Sequence, residues 1–445
     1  ELGAQIYRNS PVSAITRTAD GFWQVETASG TITAETIVNA AGFRANEVAA
    51  MIGHQLPIAS MEHQYLVTEG LQEVADCGLE LPMVRDPDVS YYLRQERNGF
   101  ILGPYEPGGL PCWTDGVPPN FGQELFEPSL DRLEDIIAIA MEQIPLLAKA
   151  GVQTVINGPI TYTPDGHPLI GPVAGFDNYF VCSGFNFGIV QGGGAGYFMA
   201  QWILDGHPEI DLNELDPRRF GDYANARYTV AKATEVYAHE YANGLPYEYE
   251  NRPAARPAKT TPIYSRLKEN GAVFGARFGW ERANWFAPVG MEPRDELSYS
   301  RSNWFETVGE ECRAVREKVG LLDLSAFAKF EVSGAGAVAY LDQLSTNRLP
   351  AEVGGIALTY MVSSTGRILG EFTITRLAAD RFYLISAAAA QVHDWDELRR
   401  RLPADGSVRL DDLTARFGTL VVAGPKAREV LRKLTATNLG NEAFP

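Results

Sequence analysis

The feature that most constrains the fold of this chain is a glycine-rich turn at residues 179–206, which lies between an apolar stretch and a helical pattern. The stretch YFVCS predicts a short buried strand, and the apolar residues at 197–204 recur with a helical period. A nucleotide-binding loop needs this order of strand, glycine turn and helix. However, the best G-x-G-x-x-G frame, through Gly194 and Gly196, puts Met199 where the third small residue belongs. We therefore reject a dinucleotide fingerprint and expect a glycine-lined helix N-terminus, which either faces the electron-rich edge of a ligand or packs against another element.

Length and charge narrow the class of protein. A chain of 445 residues exceeds one ordinary core and predicts two or three domains. With 38 basic and 56 acidic residues the net charge is −18, which argues against nucleic acid as the main partner. No apolar run approaches the ~20 residues of a membrane span. The four cysteines are widely spaced and form no C-x-x-C pair, so we expect no metal site and a cytoplasmic protein, or a mitochondrial matrix protein in a eukaryote.

The first half of the chain predicts one sheet domain inserted in another. Short strands from VSAITRT to TIVNAAG end in small residues, where a ligand can lie on bare backbone. The strands HQYLVTEG, SYYLRQE and GFILGPYE follow, and then the periodic helical stretch LDRLEDIIAIAMEQIPLL, before the chain returns to the glycine segment. We expect an α/β nucleotide-type domain over residues 1–208, with a substrate sheet inserted at about 55–150.

The composition changes after Leu212. An aromatic, charged stretch and the segment NRPAARPAKTTP predict a middle domain or linker over residues 209–262. Strands such as GIALTYMVSS and RILGEFTITRL, separated by helices such as AVAYLDQL, predict an α+β domain over residues 263–445.

Four co-linear stretches carry a resemblance to one protein family. TIVNAAG, and PITYTPDGHPLIGP followed by NYFVCSGFNFGI, resemble flavin-contacting segments of D-amino-acid oxidase-like flavoproteins. ELDPRRFG with YSRLKENGAVFGARFGWERANWF resembles the middle region of dimethylglycine and sarcosine dehydrogenases. GLLDLSAFAKFEVSGAGA with TGRILGEFTITRL resembles the aminomethyltransferase-like, folate-binding domain of those enzymes, similar to the glycine-cleavage T-protein.

The resemblance implies that the chain is an internal fragment. The FAD domain is expected to lack its first βαβ unit, which in relatives holds the FAD pyrophosphate. Any covalent attachment of the flavin would also lie upstream of Glu1. The folate domain is expected to be truncated at its C-terminus.

The resemblance also implies cofactor contacts. The turn before the helix is expected against the flavin ring, and the helix beginning near Gln191 is expected to aim its N–H groups at the pyrimidine edge, where negative charge gathers on reduction. The alternative for each of these residues is ordinary strand or helix packing. The residues expected near FAD are Val12, Ala40, Ala41, Gly42, Gly184, Phe185, Asn186, Gly188 and Ile189.

The expected catalytic residues lie in the inserted sheet. His63, Tyr91 and Tyr92 match the active-site histidine and tyrosine of dimethylglycine-oxidising relatives. A histidine can share the ammonium proton of an amine, and a tyrosine hydroxyl can orient the substrate. Neighbours on a strand face opposite sides, so the choice between Tyr91 and Tyr92 stays open. Arg94 is a weaker candidate for the substrate carboxylate. Packing within the sheet is the alternative for the histidine and the two tyrosines.

In the folate-like domain, Glu371 occupies the place of the acidic residue of aminomethyltransferases, and Tyr360 is expected to line the same pocket. The family's stand-alone transferases carry two aspartates where this chain has Gly370 and Glu371, which favours a binding role over proton transfer. The alternative is a surface glutamate on an edge strand.

These residues predict an FAD-dependent oxidoreductase acting on CH–NH groups. It would demethylate dimethylglycine or sarcosine and pass the one-carbon unit to tetrahydrofolate, with oxygen or an electron-transfer flavoprotein as acceptor. Two alternatives stay open: oxidation of a different amine, and a folate-binding scaffold protein without redox activity.

Overall fold

The computed structural model describes residues 3–240 and 242–444. The chain divides into two compact units, Glu1–Gly244 and Leu245–Pro445. The division falls within the predicted middle segment, so that the last helix of the first unit comes from this segment. The predicted boundaries at 208 and 262 stay a prediction.

The first unit contains three sheets. Its strands are β1 (Val12–Arg17), β2 (Trp23–Thr27), β3 (Gly30–Ala34), β4 (Ile37–Asn39), β5 (Ala59–Thr68), β6 (Val84–Asp86), β7 (Tyr91–Glu96), β8 (Gly99–Pro104), β9 (Pro111–Cys112), β10 (Val152–Tyr162), β11 (Leu169–Pro172) and β12 (Tyr179–Ser183). Its helices are α1 (Ala45–Ala50), α2 (Gln72–Ala75), α3 (Glu134–Gln143), α4 (Gly188–Asp205) and α5 (Ala226–His239). The sheet orders are β1-β2-β3, β11-β12-β4 and β10-β5-β8-β7-β6, with β9 on β5.

The helix predicted from LDRLEDIIAIAMEQIPLL is shorter than its apolar pattern. The α-helical part covers Glu134–Gln143, and short 3-10 turns flank it at Leu130–Leu133 and Leu147–Lys149. Ile144 leaves the helical region with φ −126° and ψ 82°. It precedes Pro145, whose ring disfavours a helical residue before it, so the helix ends there.

The second unit is built around one five-stranded antiparallel sheet. Its helices are α6 (Glu248–Asn251), α7 (Tyr264–Glu269), α8 (Phe305–Glu317), α9 (Ala337–Leu344), α10 (Gln391–Arg400) and α11 (Ala427–Leu431). Its strands are β13 (Ala272–Arg277), β14 (Trp280–Phe286), β15 (Gly320–Asp323), β16 (Ala328–Ser333), β17 (Ile356–Val362), β18 (Ile368–Ala378), β19 (Arg381–Ser386), β20 (Arg409–Asp412) and β21 (Leu420–Ala423). The main sheet has the order β17-β18-β19-β16-β20, and α9 and α10 cover a core that includes Phe330 and Phe382.

The Pro/Ala/Arg-rich segment lies as a strap on the β13–β14 hairpin. Arg256 donates to the Glu281 carboxylate at 2.6 and 2.8 Å and to the Phe274 carbonyl at 2.8 Å. The Lys259 ammonium lies 4.5 Å from the centroid of the Trp280 ring. Polar and cation–π contacts therefore hold a segment that lacks regular structure.

Candidate active site

Two of the predicted cofactor-contacting turns lie side by side. β4 pairs in parallel with β12, with Asn39 opposite Val181. The carboxyl ends of parallel strands meet at one edge of a sheet, the usual place for a ligand in α/β folds. The Ser183 hydroxyl donates to the Asn39 carbonyl at 3.2 Å, and the Asn39 side chain in turn accepts from the Ala41 N–H. Ala40–Gly42 and Gly184–Asn186 are thus brought together, although about 140 residues separate them in the chain.

The glycine turn has a backbone that only glycine adopts readily. Gly184 has φ +82°, and an added Cβ would lie 3.1 Å from Cγ2 of Thr163. Strand β10 supports the same turn, because the Thr161 hydroxyl donates to the Phe185 carbonyl at 3.0 Å. The substrate sheet and the glycine turn are therefore in direct contact.

Helix α4 begins at Gly188, three residues before the predicted start, so Gly188 and Ile189 belong to its first turn. The first N–H groups of a helix have no partner within the helix. Here they lie on an open surface, with the Ile189 side chain fully exposed. The helix has no side-chain N-cap, so these donors are available to a ligand.

A cavity of about 650 Å³ adjoins this helix. The residues that line it include Asn186, Phe187, Gln191, His167 and Leu215. The Oε1 atom of Gln191 is buried and has no hydrogen-bond partner among the described residues. Free N–H donors and an unsatisfied amide acceptor form a donor and acceptor set that fits the imide edge of a flavin.

Val12 lies at the start of β1 and is half-buried. It packs on the core cluster that includes Ile15, Trp23, Tyr179 and Val181. The structure therefore places Val12 beside the strands that carry the two turns, and its contact with a cofactor stays a prediction.

His63 lies at the centre of a polar cluster on β5. Its Nδ1 is 3.1 Å from the Tyr237 hydroxyl, and its ring lies 4.5 Å from the ring of Tyr105. Tyr237 donates to Glu106 Oε2 at 2.7 Å. Arg132 then pairs with Glu106 and, at 2.8 Å, with Glu62. The cluster joins strand β5, the loop after β8, the turn before α3, and helix α5.

The surroundings of His63 favour its neutral form. Burial lowers the pKa of His63 to about 4, and the positive charge of Arg132 acts in the same direction. Tyr237 is buried, and burial raises the pKa of Tyr237 further above its ordinary value, with the negative charge of Glu106 adding to the effect. At neutral pH the cluster thus holds a neutral imidazole and a protonated phenol.

The two candidate tyrosines face opposite sides of the sheet. Tyr92 packs on the cluster that contains Tyr105, Tyr162 and Tyr237. An added Cβ at Gly103 would overlap its ring, so Tyr92 lies flat on that glycine. Tyr91 instead is buried in the other core and donates to Gln143 Oε1 at 2.5 Å. The structure brings Tyr92, and not Tyr91, to the face of His63.

Arg94 lies away from this cluster. Its side chain is about half exposed and pairs with Glu96 at 2.8 Å on the same strand. Arg132 is the arginine that the structure places beside His63, and its Nε has no partner among the described residues. Sequence reasoning missed Arg132, Glu106, Tyr105 and Tyr237. Tyr105 and Glu106 end the predicted strand GFILGPYE, but the contact of Tyr237 spans 174 residues and has no local signal.

The predicted folate pair also comes together. Tyr360 on β17 lies directly opposite Glu371 on β18. The hydrogen bond from the tyrosine hydroxyl to this carboxylate raises the pKa of Tyr360. Both side chains are on the accessible face of an antiparallel hairpin, where a cross-strand pair is a close neighbour.

Two other kinds of feature are absent from residues 3–240 and 242–444. No cluster of three or more His, Cys, Asp or Glu side chains there could hold a metal ion. No helix in these ranges is long and apolar enough to cross a membrane.

Family models match the chain in three consecutive parts. The model described as FAD dependent oxidoreductase matches residues 1–202, and the model described as FAD dependent oxidoreductase central domain matches residues 205–261. The model described as GCVT N-terminal domain matches residues 263–445. The fold and these matches define a flavoprotein oxidoreductase domain, a central domain and an aminomethyltransferase-type domain, which confirms the predicted fold class.

Curated relatives match the chain from end to end. Mitochondrial dimethylglycine dehydrogenase of Mus musculus is 43% identical, with 100% of this chain and 51% of the relative covered. The 4-methylaminobutanoate oxidase (formaldehyde-forming) of Paenarthrobacter nicotinovorans is 34% identical, with 99% and 53% covered. Mitochondrial sarcosine dehydrogenase of Homo sapiens is 30% identical, with 100% and 52% covered. The chain spans about half the length of these relatives, and over its full length it is similar to dimethylglycine and sarcosine dehydrogenases.

Proposed function

We propose that this chain is part of an FAD-dependent enzyme that oxidatively demethylates an N-methyl amino acid, dimethylglycine or sarcosine. The observation that carries the proposal is the neutral His63 with Tyr92 on one face of a sheet whose strand β10 supports the glycine turn. If a flavin binds at the glycine turn, the same sheet would offer the substrate a hydrogen-bond acceptor and a hydroxyl group, which supports the proposal. FAD, when bound, supplies the acceptor for the hydride.

The residues of the substrate sheet prepare the amine. Hydride can leave the N-methyl carbon only if the nitrogen lone pair is free, so the ammonium proton must first be removed. A neutral His63 accepts a hydrogen bond from the ammonium group and directs the loss of that proton to solvent, and Tyr92 orients the substrate through its hydroxyl. Loss of the hydride, with its two electrons, leaves a methylene iminium on the substrate.

The glycine turn and helix α4 hold the electron-accepting end of the site. The N–H groups of the first turn of α4 are fixed in place by the helix and would stabilise negative charge without reorganisation. Gln191 Oε1 would accept from an imide N–H. We propose Gly184, Phe185, Asn186, Gly188 and Ile189, with Ala40–Gly42 and Val12, as residues that line the cofactor.

The aminomethyltransferase-type domain would take the one-carbon unit. A tetrahydrofolate nitrogen adds to the iminium carbon, and expulsion of the demethylated amino acid yields 5,10-methylenetetrahydrofolate. Without folate, water adds instead and formaldehyde leaves. Tyr360 and Glu371 would bind the pterin through hydrogen bonds, because the pair presents a hydroxyl and a carboxylate on one accessible face.

N-methyl amino acids with a longer carbon chain are a second class of substrate to test. The bacterial relative at 34% identity is named for an N-methyl amino acid with a longer carbon chain. The same amine chemistry would apply, with the carboxylate held further from the nitrogen.

We also propose oxygen or an electron-transfer flavoprotein as the electron acceptor. A mitochondrial matrix location fits the names of the two matched dehydrogenases, and a cytoplasmic one remains the prediction for a bacterial source.

The test is anaerobic stopped-flow absorbance of the full-length protein, with dimethylglycine, sarcosine, 4-methylaminobutanoate and glycine betaine. We expect rapid bleaching of the flavin by one of the first three. Glycine betaine should be inert because its quaternary nitrogen has no lone pair to free. Bound flavin that none of the amines bleaches would contradict the proposal.

Three variants test the site in the same experiment. His63→Ala and Tyr92→Phe should slow flavin reduction by about 10²-fold, the usual contribution of a positioned acid or base. Tyr91→Phe is the matched control on the opposite face and should reduce flavin at nearly the wild-type rate. A slow Tyr91→Phe with an unchanged Tyr92→Phe would reverse the assignment.

A further inference from the structure

The hydroxyl of Tyr237 joins His63 to a carboxylate. It lies 3.1 Å from His63 Nδ1 and 2.7 Å from Glu106 Oε2. Tyr237 is fully buried, and its ring contacts those of Tyr105 and Tyr162. It comes from helix α5, in the region matched by the central-domain model, whereas His63 and Glu106 come from the inserted sheet and the loop that follows β8.

The Tyr237 hydroxyl can donate its proton to only one of its two neighbours, His63 and Glu106. A phenol carries a single O–H donor and two acceptor lone pairs, and a carboxylate only accepts. Glu106 accepts from Arg132 through Oε1 in an ion pair, and its Oε2 faces the Tyr237 hydroxyl. The Tyr237 proton therefore points to Glu106, and its oxygen can only accept from the imidazole. Nδ1 of a neutral His63 must then carry the imidazole proton, and Nε2 is left as a lone pair.

We propose that Tyr237 and Glu106 are positioning residues that fix His63 as the Nδ1–H tautomer, so that Nε2 is the atom that accepts a hydrogen bond from the ammonium group of the substrate. The inference rests on the proposed function and assigns a role to residues of the central region. A wrong tautomer would present an N–H donor to the ammonium group, which cannot accept it.

The groups around His63 support this assignment. Tyr105 stacks on the ring and Tyr237 holds its edge, so the imidazole cannot rotate freely. The charged side chains of the cluster are Glu62, Glu106 and Arg132. Arg132 pairs with both glutamates, so that Glu106 stays oriented toward Tyr237. A hydrogen-bonded chain of this kind sets which ring nitrogen carries the proton.

The experiment is a double-mutant cycle in the full-length protein, read as the anaerobic rate of flavin reduction at saturating N-methyl amine. Tyr237→Phe keeps the ring and its packing and removes only the hydroxyl. We expect it to slow flavin reduction by about 10- to 100-fold, the usual cost of losing an outer-shell partner. In a His63→Ala background the same change should slow reduction by less than about 2-fold, because groups that act through one another are not additive.

Tyr340→Phe is the matched control. It removes a buried hydroxyl that donates to the Leu398 carbonyl at 2.6 Å in the other compact unit, and it should leave the reduction rate unchanged. Flavin content and thermal unfolding of each variant identify a misfolded one, and the comparison within the His63→Ala background does not depend on full stability.

The outcomes separate this inference from the proposed function. If no N-methyl amine reduces the wild-type flavin, the proposed function fails first. If the wild type is active but Tyr237→Phe is as fast as wild type, the positioning role is wrong. An equal loss in the wild-type and His63→Ala backgrounds would show a general structural role and would also overturn it.

Discussion

His63 shows how burial sets the chemistry of a single residue. A histidine on an exposed strand would be partly charged near pH 6.5, its ordinary pKa. In this structure its pKa is lowered to about 4, by burial and by Arg132. The imidazole is therefore neutral over the whole physiological range, with one ring nitrogen free to accept a hydrogen bond.

This residue predicts a dependence of stability on pH. The unfolded chain protonates His63 below about pH 6.5 but the folded chain only near pH 4, so unfolding takes up a proton between these values. The free energy of unfolding should fall as the pH drops through this window, by about 1 to 2 kcal/mol at pH 5 after allowance for solvent screening. Denaturant unfolding at pH 7 and pH 5 measures it.

His63→Gln is the comparison for that measurement, because it fills a similar volume without titrating. The variant should lose less stability than the wild type between the two pH values. Equal losses in the two proteins would mean that His63 is charged, or exposed, in the folded state.

At the scale of elements, the parallel pairing of β4 and β12 creates the edge that we propose for the cofactor. Each strand is followed by a turn of small or flexible residues, and the Ser183–Asn39 hydrogen bond ties the two ends together. Helix α4 starts directly after the second turn and brings its N–H groups to the same edge. The position of these groups follows from strand pairing and not from any one motif.

The glycine turn predicts opposite effects of one substitution at two positions. Gly184→Ala should lower the free energy of unfolding by about 1 to 3 kcal/mol, because a positive φ is strained for alanine and Thr163 crowds the new methyl group. Gly193→Ala lies within α4 with open space around it, and should raise stability by up to about 1 kcal/mol.

Denaturant unfolding of the chain, followed by circular dichroism, compares these two variants. The pair separates backbone strain from a general intolerance of this segment to added methyl groups. A loss of stability in both would indicate that the face of α4 is covered, and neutrality in both would contradict the strained turn.

At the scale of the whole molecule, the residues proposed for oxidation and those proposed for one-carbon transfer belong to different parts of the chain. His63 and Tyr92 lie in the first compact unit, and Tyr360 and Glu371 lie in the second. The two half-reactions should therefore respond to separate substitutions.

Glu371→Gln tests this separation in the full-length protein. It removes the negative charge that accepts from Tyr360, so we expect folate binding to weaken and more free formaldehyde to appear when tetrahydrofolate is present. Flavin reduction should stay at the wild-type rate. Glu352→Gln, an exposed glutamate before β17, serves as the control and should change neither quantity. Unchanged formaldehyde release in Glu371→Gln would remove Glu371 from the folate site.

The amino-acid sequence by itself predicted the strands of the sheets, the glycine turn and the resemblance to dimethylglycine and sarcosine dehydrogenases, because these follow from local periodicity and co-linear motifs. It also placed His63 on a strand and Glu371 beside Tyr360 in the chain's predicted pocket. Only the tertiary structure decided that Tyr92 rather than Tyr91 shares the face of His63, and that Tyr237 reaches His63 from 174 residues away. The physical reason for the first is that side chains alternate between the two faces of a strand, and the sequence does not say which face another element will cover. The reason for the second is that contacts between distant elements depend on tertiary packing, which no local sequence pattern encodes.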